Sequence, residues 1–166
     1  MKKSVFSFLI MFSLLISCSS DKGDEPNIDS SVNIVGTWDA TELQIDESTA
    51  NDDALFAREI LAHLTDKDCY IITLQFNADM TASAINSANF IEINATQTGL
   101  DIPCPTQSDT ETSTYSYEGN VVSFVDANGD TVAVDVTING DVMTVNAADL
   151  QIPEFNESGQ LIFQRR

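Results

Sequence analysis

The chain runs to 166 residues and carries 26 acidic against 7 basic side chains and one histidine, a formal net charge of −19 at pH 7. A body this acidic is repelled by phosphate backbones, which excludes nucleic-acid binding and leaves cations, basic partners or plain solvation of the surface as uses for the charge. Its length suits one domain with a core of useful size.

At the N-terminus Lys2 and Lys3 precede an apolar run from Val5 to Ile16 that is too short to span a bilayer, and Leu15-Ile16-Ser17-Cys18 ends it with a small residue before a cysteine. This resembles a bacterial lipoprotein signal, in which the cysteine is diacylated on its thiol and becomes the mature N-terminus; an ordinary secretory leader containing a cysteine is the alternative. The resemblance implies a signal peptide over residues 1–17 and lipidation of Cys18, with two acyl chains giving the stable membrane attachment that one cannot. Ser19 to Pro26 is polar and acidic, so residues 18–32 read as a disordered tether that reaches about 20 Å from the bilayer. An acidic run directly after the cysteine also resembles the surface-export signal of lipoproteins in Bacteroidota, which implies the outer membrane and its cell-surface face.

The folded domain is expected over residues 33–166. Its first strand starts at Ile34. Asp52 or Asp53 can cap a helix in which Leu55, Phe56, Ile60 and Leu64 recur at three- to four-residue spacing through Asp66, a stripe suited to lying on a sheet or closing one end of a barrel. The alternation of Tyr70, Ile72, Leu74 and Phe76 predicts a strand, Asn77-Ala78-Asp79 a turn, and Thr81 to Ile85 the next strand. Phe90 to Ala95 is a further short apolar run. The segment from Gly99 through Pro103, Cys104 and Pro105 reads as a loop, followed by a Thr/Ser-rich strand to Tyr117.

With Cys18 lipidated, Cys69 and Cys104 remain as an even pair in an oxidising compartment and are expected to bond; the chain-entropy model values such a loop at roughly 4 kcal/mol. Metal binding by the pair competes with this, but two lone thiols make a poor site.

Beyond Tyr117, Gly119-Asn120 turns the chain into Val121 to Val125 and Asn128-Gly129 turns it again. Val132, Val134, Val136 and Ile138 alternate with polar neighbours or alanine in the cleanest strand of the chain. Asn139-Gly140 is the preferred dipeptide of a two-residue type I′ hairpin, which predicts direct pairing with Val142 to Ala147; Gln160 to Gln164 closes the sequence. About nine strands joined by tight turns predict an all-β, antiparallel up-and-down β-barrel with one short helix after the first strand, and a two-sheet sandwich is the rival.

Ile34-Val35-Gly36-Thr37-Trp38, then a cysteine, the unit Phe76-Asn77-Ala78-Asp79-Met80-Thr81, a second cysteine, the hairpin Tyr115 to Val122 and the last strand Leu161 to Arg165 together resemble the lipocalin-like domain lipoproteins of Bacteroidota. The resemblance covers nearly all of the expected domain, departs from the usual pattern at Met80 where glycine is common, and implies a lipocalin-like barrel in which Arg165 or Arg166 packs on Trp38; an ordinary core tryptophan with solvated terminal arginines is the alternative. A small antiparallel barrel can hold one apolar ligand in its mouth or be filled by its own side chains; the leading expectation is binding of a small apolar or amphipathic molecule, with Trp38, Phe76, Phe90, Tyr115, Tyr117, Phe124 and Met143 as candidate lining. The alternative is a filled barrel whose loops, such as residues 97–113, bind an envelope protein or a glycan.

No Ser-His-Asp, Cys-His or paired-carboxylate arrangement can be argued from spacing, and no phosphate loop occurs. His63 lies on the expected helix among Leu61, Ala62 and Leu64 and reads as a structural or surface residue. Asp126-Ala127-Asn128-Gly129-Asp130 has the oxygen-rich look of a calcium loop but misplaces its glycine and lacks the closing glutamate, so a hairpin turn is expected. The chain is therefore read as a non-enzyme without cofactor or metal, whose partners are the membrane through Cys18 and a small ligand or an envelope component.

Overall fold

The computed structural model describes residues 34–97, 99–126, 128–150 and 159–166. The leader at 1–17, Cys18 and the tether at 18–32 lie outside the described residues.

Strand β1 (Gly36–Ile45) is followed by helix α1 (Asp52–Thr65) and the hairpin of β2 (Ile72–Phe76) and β3 (Thr81–Asn86). An excursion then carries a 3-10 turn (Ala88–Phe90) and a small separate hairpin, β4 (Asn94–Thr96) with β5 (Gly99–Asp101). A meander of β6 (Asp109–Glu118), β7 (Val121–Val125), β8 (Thr131–Asn139) and β9 (Val142–Asn146) leads through a second 3-10 turn (Ala147–Leu150) to β10 (Gly159–Arg165). Eight strands close in the order β1-β10-β9-β8-β7-β6-β3-β2, and β1 pairs antiparallel with both β2 and β10. That double pairing removes the free edges a sandwich would keep. The expected barrel is observed, with ten strands described in place of about nine.

The short apolar run Phe90 to Ala95 does not enter the barrel. It starts at the last residue of the 3-10 turn and ends in β4 of the β4–β5 hairpin, whose strand residues are exposed throughout. Its alternation is too short to present a buried face, so β6 pairs directly with β3 instead.

Helix α1 also differs in detail. Asn51 caps it, accepting from the backbone N–H of Ala54 at 2.8 Å, one residue before the expected aspartates, which occupy the first turn where their charge suits the helix dipole. The buried face is Ala54, Ile60, Leu61 and Leu64, while Phe56 is 42% exposed and lies outside the stripe expected for it. A bond between Cys69 and Cys104 ties the segment after α1 to the excursion, and Lys67 Nζ donates to the carbonyl of Ile102 at 3.0 Å beside it.

Turn chemistry follows backbone sign. In the β6–β7 hairpin Gly119 and Asn120 both have positive φ (58° and 70°), the pattern of a type I′ turn. In the β8–β9 hairpin Asn139 pairs with Val142, so the two loop residues are Gly140 and Asp141 and only Gly140 has positive φ (62°). That matches a type II′ turn with glycine first, shifted by one residue from the expected Asn139-Gly140 centre. Met80 takes φ 65°, the left-handed conformation for which its position in the β2–β3 turn calls.

Candidate functional site

Pairing register decides which side chains face inward. Phe76 opposes Ala82, Leu74 opposes Ala84 and Ile72 opposes Asn86, while Ala82 and Ala84 in turn oppose Ser113 and Glu111. On the other side of the barrel Phe163 opposes both Ala40 and Met143, and Leu161 opposes both Leu43 and Val145. Large side chains thus fill the interior beside β1, β9 and β10, whereas β3 supplies two alanines. The imbalance of volume leaves a cavity of about 530 Å³ against β2, β3 and β6 to β9.

The two ends of the barrel differ. At one end, where β1 begins and β10 finishes, Trp38 is fully buried; its Nε1 donates to the carbonyl of Ile34 at 2.8 Å, and the Arg165 guanidinium stacks 4.0 Å from its ring centroid. Arg165 Nη1 also donates to the carbonyl of Val35. On the outer face, Arg166 donates twice to Asp39, at 2.9 and 2.6 Å, and the Thr73 hydroxyl donates to the same carboxylate at 2.7 Å. Tyr115 and Tyr117 add to this closed end, with Tyr115 Oη donating to the carbonyl of Asn77 and Tyr117 Oη to Asn120 Oδ1. Burial pushes both phenol pKa values up, Tyr115 with a further contribution from the charge of Asp79.

Among the described residues the cavity reaches the opposite end. Its rim is built from the end of β3 (Asn86), the first half of β6 (Glu111), the β7–β8 turn (Asp126) and the 3-10 turn after β9 (Asp149, Leu150), all of which line the cavity. Asp126 is fixed there because its Oδ1 accepts from the backbone N–H groups of Asn128 and Asp130, both at 2.9 Å; the Asp130 bond leads among the causes that hold its pKa below the usual carboxylate value. The segment is a hairpin turn, as its sequence suggests.

A family model described as the lipocalin-like domain matches residues 34–145. The chain belongs to the lipocalin-like domain family. Three solved structures resemble this lipocalin-like chain: a lipocalin-like protein from Bacteroides uniformis (14% identity, 81% of this chain and 99% of that one, TM-score 0.40), an uncharacterized protein from Bacteroides eggerthii (11%, 80% and 98%, 0.40) and a DUF4847 family protein from Bacteroides vulgatus (15%, 82% and 96%, 0.39). Among curated proteins none matches.

Within the lipocalin-like barrel, the seven candidate lining residues divide. Phe76, Tyr115, Phe124 and Met143 line the cavity, with Phe76 and Tyr115 in edge-to-face contact at 5.0 Å between centroids. Trp38 and Tyr117 belong to the closed end and do not reach it. Phe90 lies outside the barrel, beside a separate shallow pocket that Pro103, Cys104 and Pro105 also line. Leu74, Ala82, Ala84, Glu111 and Asp149 line the cavity as well and are not among the candidates the sequence offers. Glu111 was within reach, because it shares the period-two face of Ser113, Tyr115 and Tyr117, whereas nothing in the sequence marked Asp149.

Proposed function

We propose that this protein is a lipid-anchored envelope lipoprotein whose barrel binds one small apolar or amphipathic molecule. The observation that carries this reading is the one-ended cavity of about 530 Å³, floored by Phe76, Tyr115, Val136 and Met143 and open at the rim. Its size and mostly apolar lining suit a small ligand. Binding, and not catalysis, is the proposed activity: the single histidine, His63, is exposed on α1 and is not part of the lining. Anchoring at Cys18 on the outer face of the outer membrane remains part of the proposal, supported by the lipobox-like sequence and by a disulfide suited to an oxidising compartment.

A neutral environment-sensitive probe such as N-phenyl-1-naphthylamine, titrated into the full chain, is expected to brighten and saturate near one equivalent. Absence of saturable binding by any apolar probe overturns the binding role. A second reading, in which the excursion docks on an envelope protein or glycan, is favoured by the exposure of Ile93 and of Leu100, which is 59% exposed. For the anchor, Cys18→Ala is expected to block processing of the precursor, and normal maturation of that variant refutes it.

A further inference from the structure

The charged groups around the cavity, among the described residues, are all of one sign. Among the described residues, Glu111, Asp126 and Asp149 are the charged residues in its lining, and no lysine, arginine or histidine stands with them. They come from three separate elements of the rim, so negative charge faces the opening from several directions while the floor is aliphatic and aromatic. Neither Glu111 nor Asp149 is paired with a basic side chain among the described residues, and Asp126 is held by backbone N–H groups instead of a cation.

We propose that the cavity selects molecules with an apolar body and a positively charged head, such as an amphiphilic amine. This rests on the reading of the cavity as a ligand site and names the class of ligand. The apolar tail displaces water from the floor, where burial supplies affinity without direction. The head stays at the rim, where the low-dielectric walls strengthen its attraction to the carboxylates relative to open solvent. A fatty acid is disfavoured by the same arrangement, since its carboxylate would meet three like charges and no partner. Specificity therefore comes from repulsion of anions as much as from attraction of cations.

The test compares three ligands with one tail, dodecylammonium, dodecanol and dodecanoate, each displacing the neutral naphthylamine probe from the full chain below its micellar concentration. The expected order is ammonium, then alcohol, then carboxylate, with at least about a tenfold gap between the first and last, equivalent to about 1.4 kcal/mol. The gap is expected to narrow in high salt and in the Glu111→Gln/Asp149→Asn variant while the alcohol keeps its affinity. Glu118→Gln, on the exposed turn at the closed end, serves as the control and is expected to leave the order unchanged. If the alcohol binds but the ammonium binds no better than the carboxylate, or if Glu118→Gln narrows the gap as much as the rim variant does, selection by the rim is wrong and the cavity remains a binding site. If none of the three ligands nor the probe binds, the binding role itself fails, and the charge selection with it.

Discussion

Gly36 and Arg165 contend for one small space: a Cβ on Gly36 would lie 2.8 Å from Arg165 Nη1, and Gly36 holds φ at 145°, where side chains are strained. The glycine is what allows the guanidinium to sit over the Trp38 ring while reaching the carbonyl of Val35. Gly36→Ala is thus expected to cost about 2 kcal/mol in a denaturant titration, from backbone strain and from the displaced arginine together. Arg165→Ala is expected to cost about 1–2 kcal/mol, and the double variant less than the sum, because both remove the same contact. Strict additivity would show that the two residues act independently.

Asp39 is 3% exposed and accepts from Arg166 and Thr73. Because the Arg166 side chain is 60% exposed, water screens this pair, and its loss is smaller than for a fully buried one. Asp39→Ala is expected to lower unfolding free energy by about 1–2 kcal/mol, with Thr73→Val losing less than half as much.

Met80 occupies a left-handed position in an exposed turn. Met80→Gly removes the steric penalty there at some cost in unfolded-chain entropy, for a net gain of roughly 0.5–1 kcal/mol. A lower melting temperature for the glycine variant would contradict this account of the turn.

The Cys69–Cys104 bond joins residues 35 apart in sequence, across a Cα separation of 5.8 Å. Cys104→Ser is expected to lose roughly 3–4 kcal/mol relative to the oxidised protein, and reduction with dithiothreitol to bring the unsubstituted chain down to the same level. Equal stability with and without reductant would remove the bond from the energetics.

Filling the cavity separates stability from binding. Ala84→Leu adds volume opposite Leu74 and Glu111, where β3 leaves room. Probe affinity is expected to fall at least about tenfold while unfolding free energy changes by less than about 1 kcal/mol, the reverse of what overpacking a filled core produces.

Stability is bounded on both sides of neutral pH. Asp46, Asp79 and Asp126 have lowered pKa values, the first two chiefly through side-chain bonds from Ser48 and Thr81 and the third through a backbone bond from Asp130. Their contribution is present above the ordinary aspartate pKa and is lost as pH falls through the depressed values. Tyr115 and Tyr117 are shifted upward by burial, so their contribution is complete below the ordinary tyrosine pKa and disappears as pH rises through the raised values. A plateau from about pH 5 to 9 in melting temperature is expected, with losses beyond each end.

Sequence alone determined the parts of this protein that rest on local periodicity: the strand of Val132, Val134, Val136 and Ile138, the Gly119-Asn120 turn and the helix after the first strand; the place of the Asn139-Gly140 hairpin was legible, though its turn is centred one residue later. These are legible because alternation and turn chemistry act over two to four residues. It also pointed to Trp38 with Arg165 or Arg166 through family resemblance, without saying which arginine stacks.

Tertiary structure decided the rest, because it depends on what stands opposite what. Register placed Arg165 inward over Trp38 and Arg166 outward on Asp39. It set the alanines of β3 against Ser113 and Glu111, and so opened the cavity on one side only. Aromatic residues chosen by type alone fell partly into the closed end, since a one-residue alternation says which face a side chain takes but not how much volume its distant neighbours leave. The ring of carboxylates at the rim likewise exists only once the first half of β6, the β7–β8 turn and the 3-10 turn after β9 are brought together by closure of the barrel.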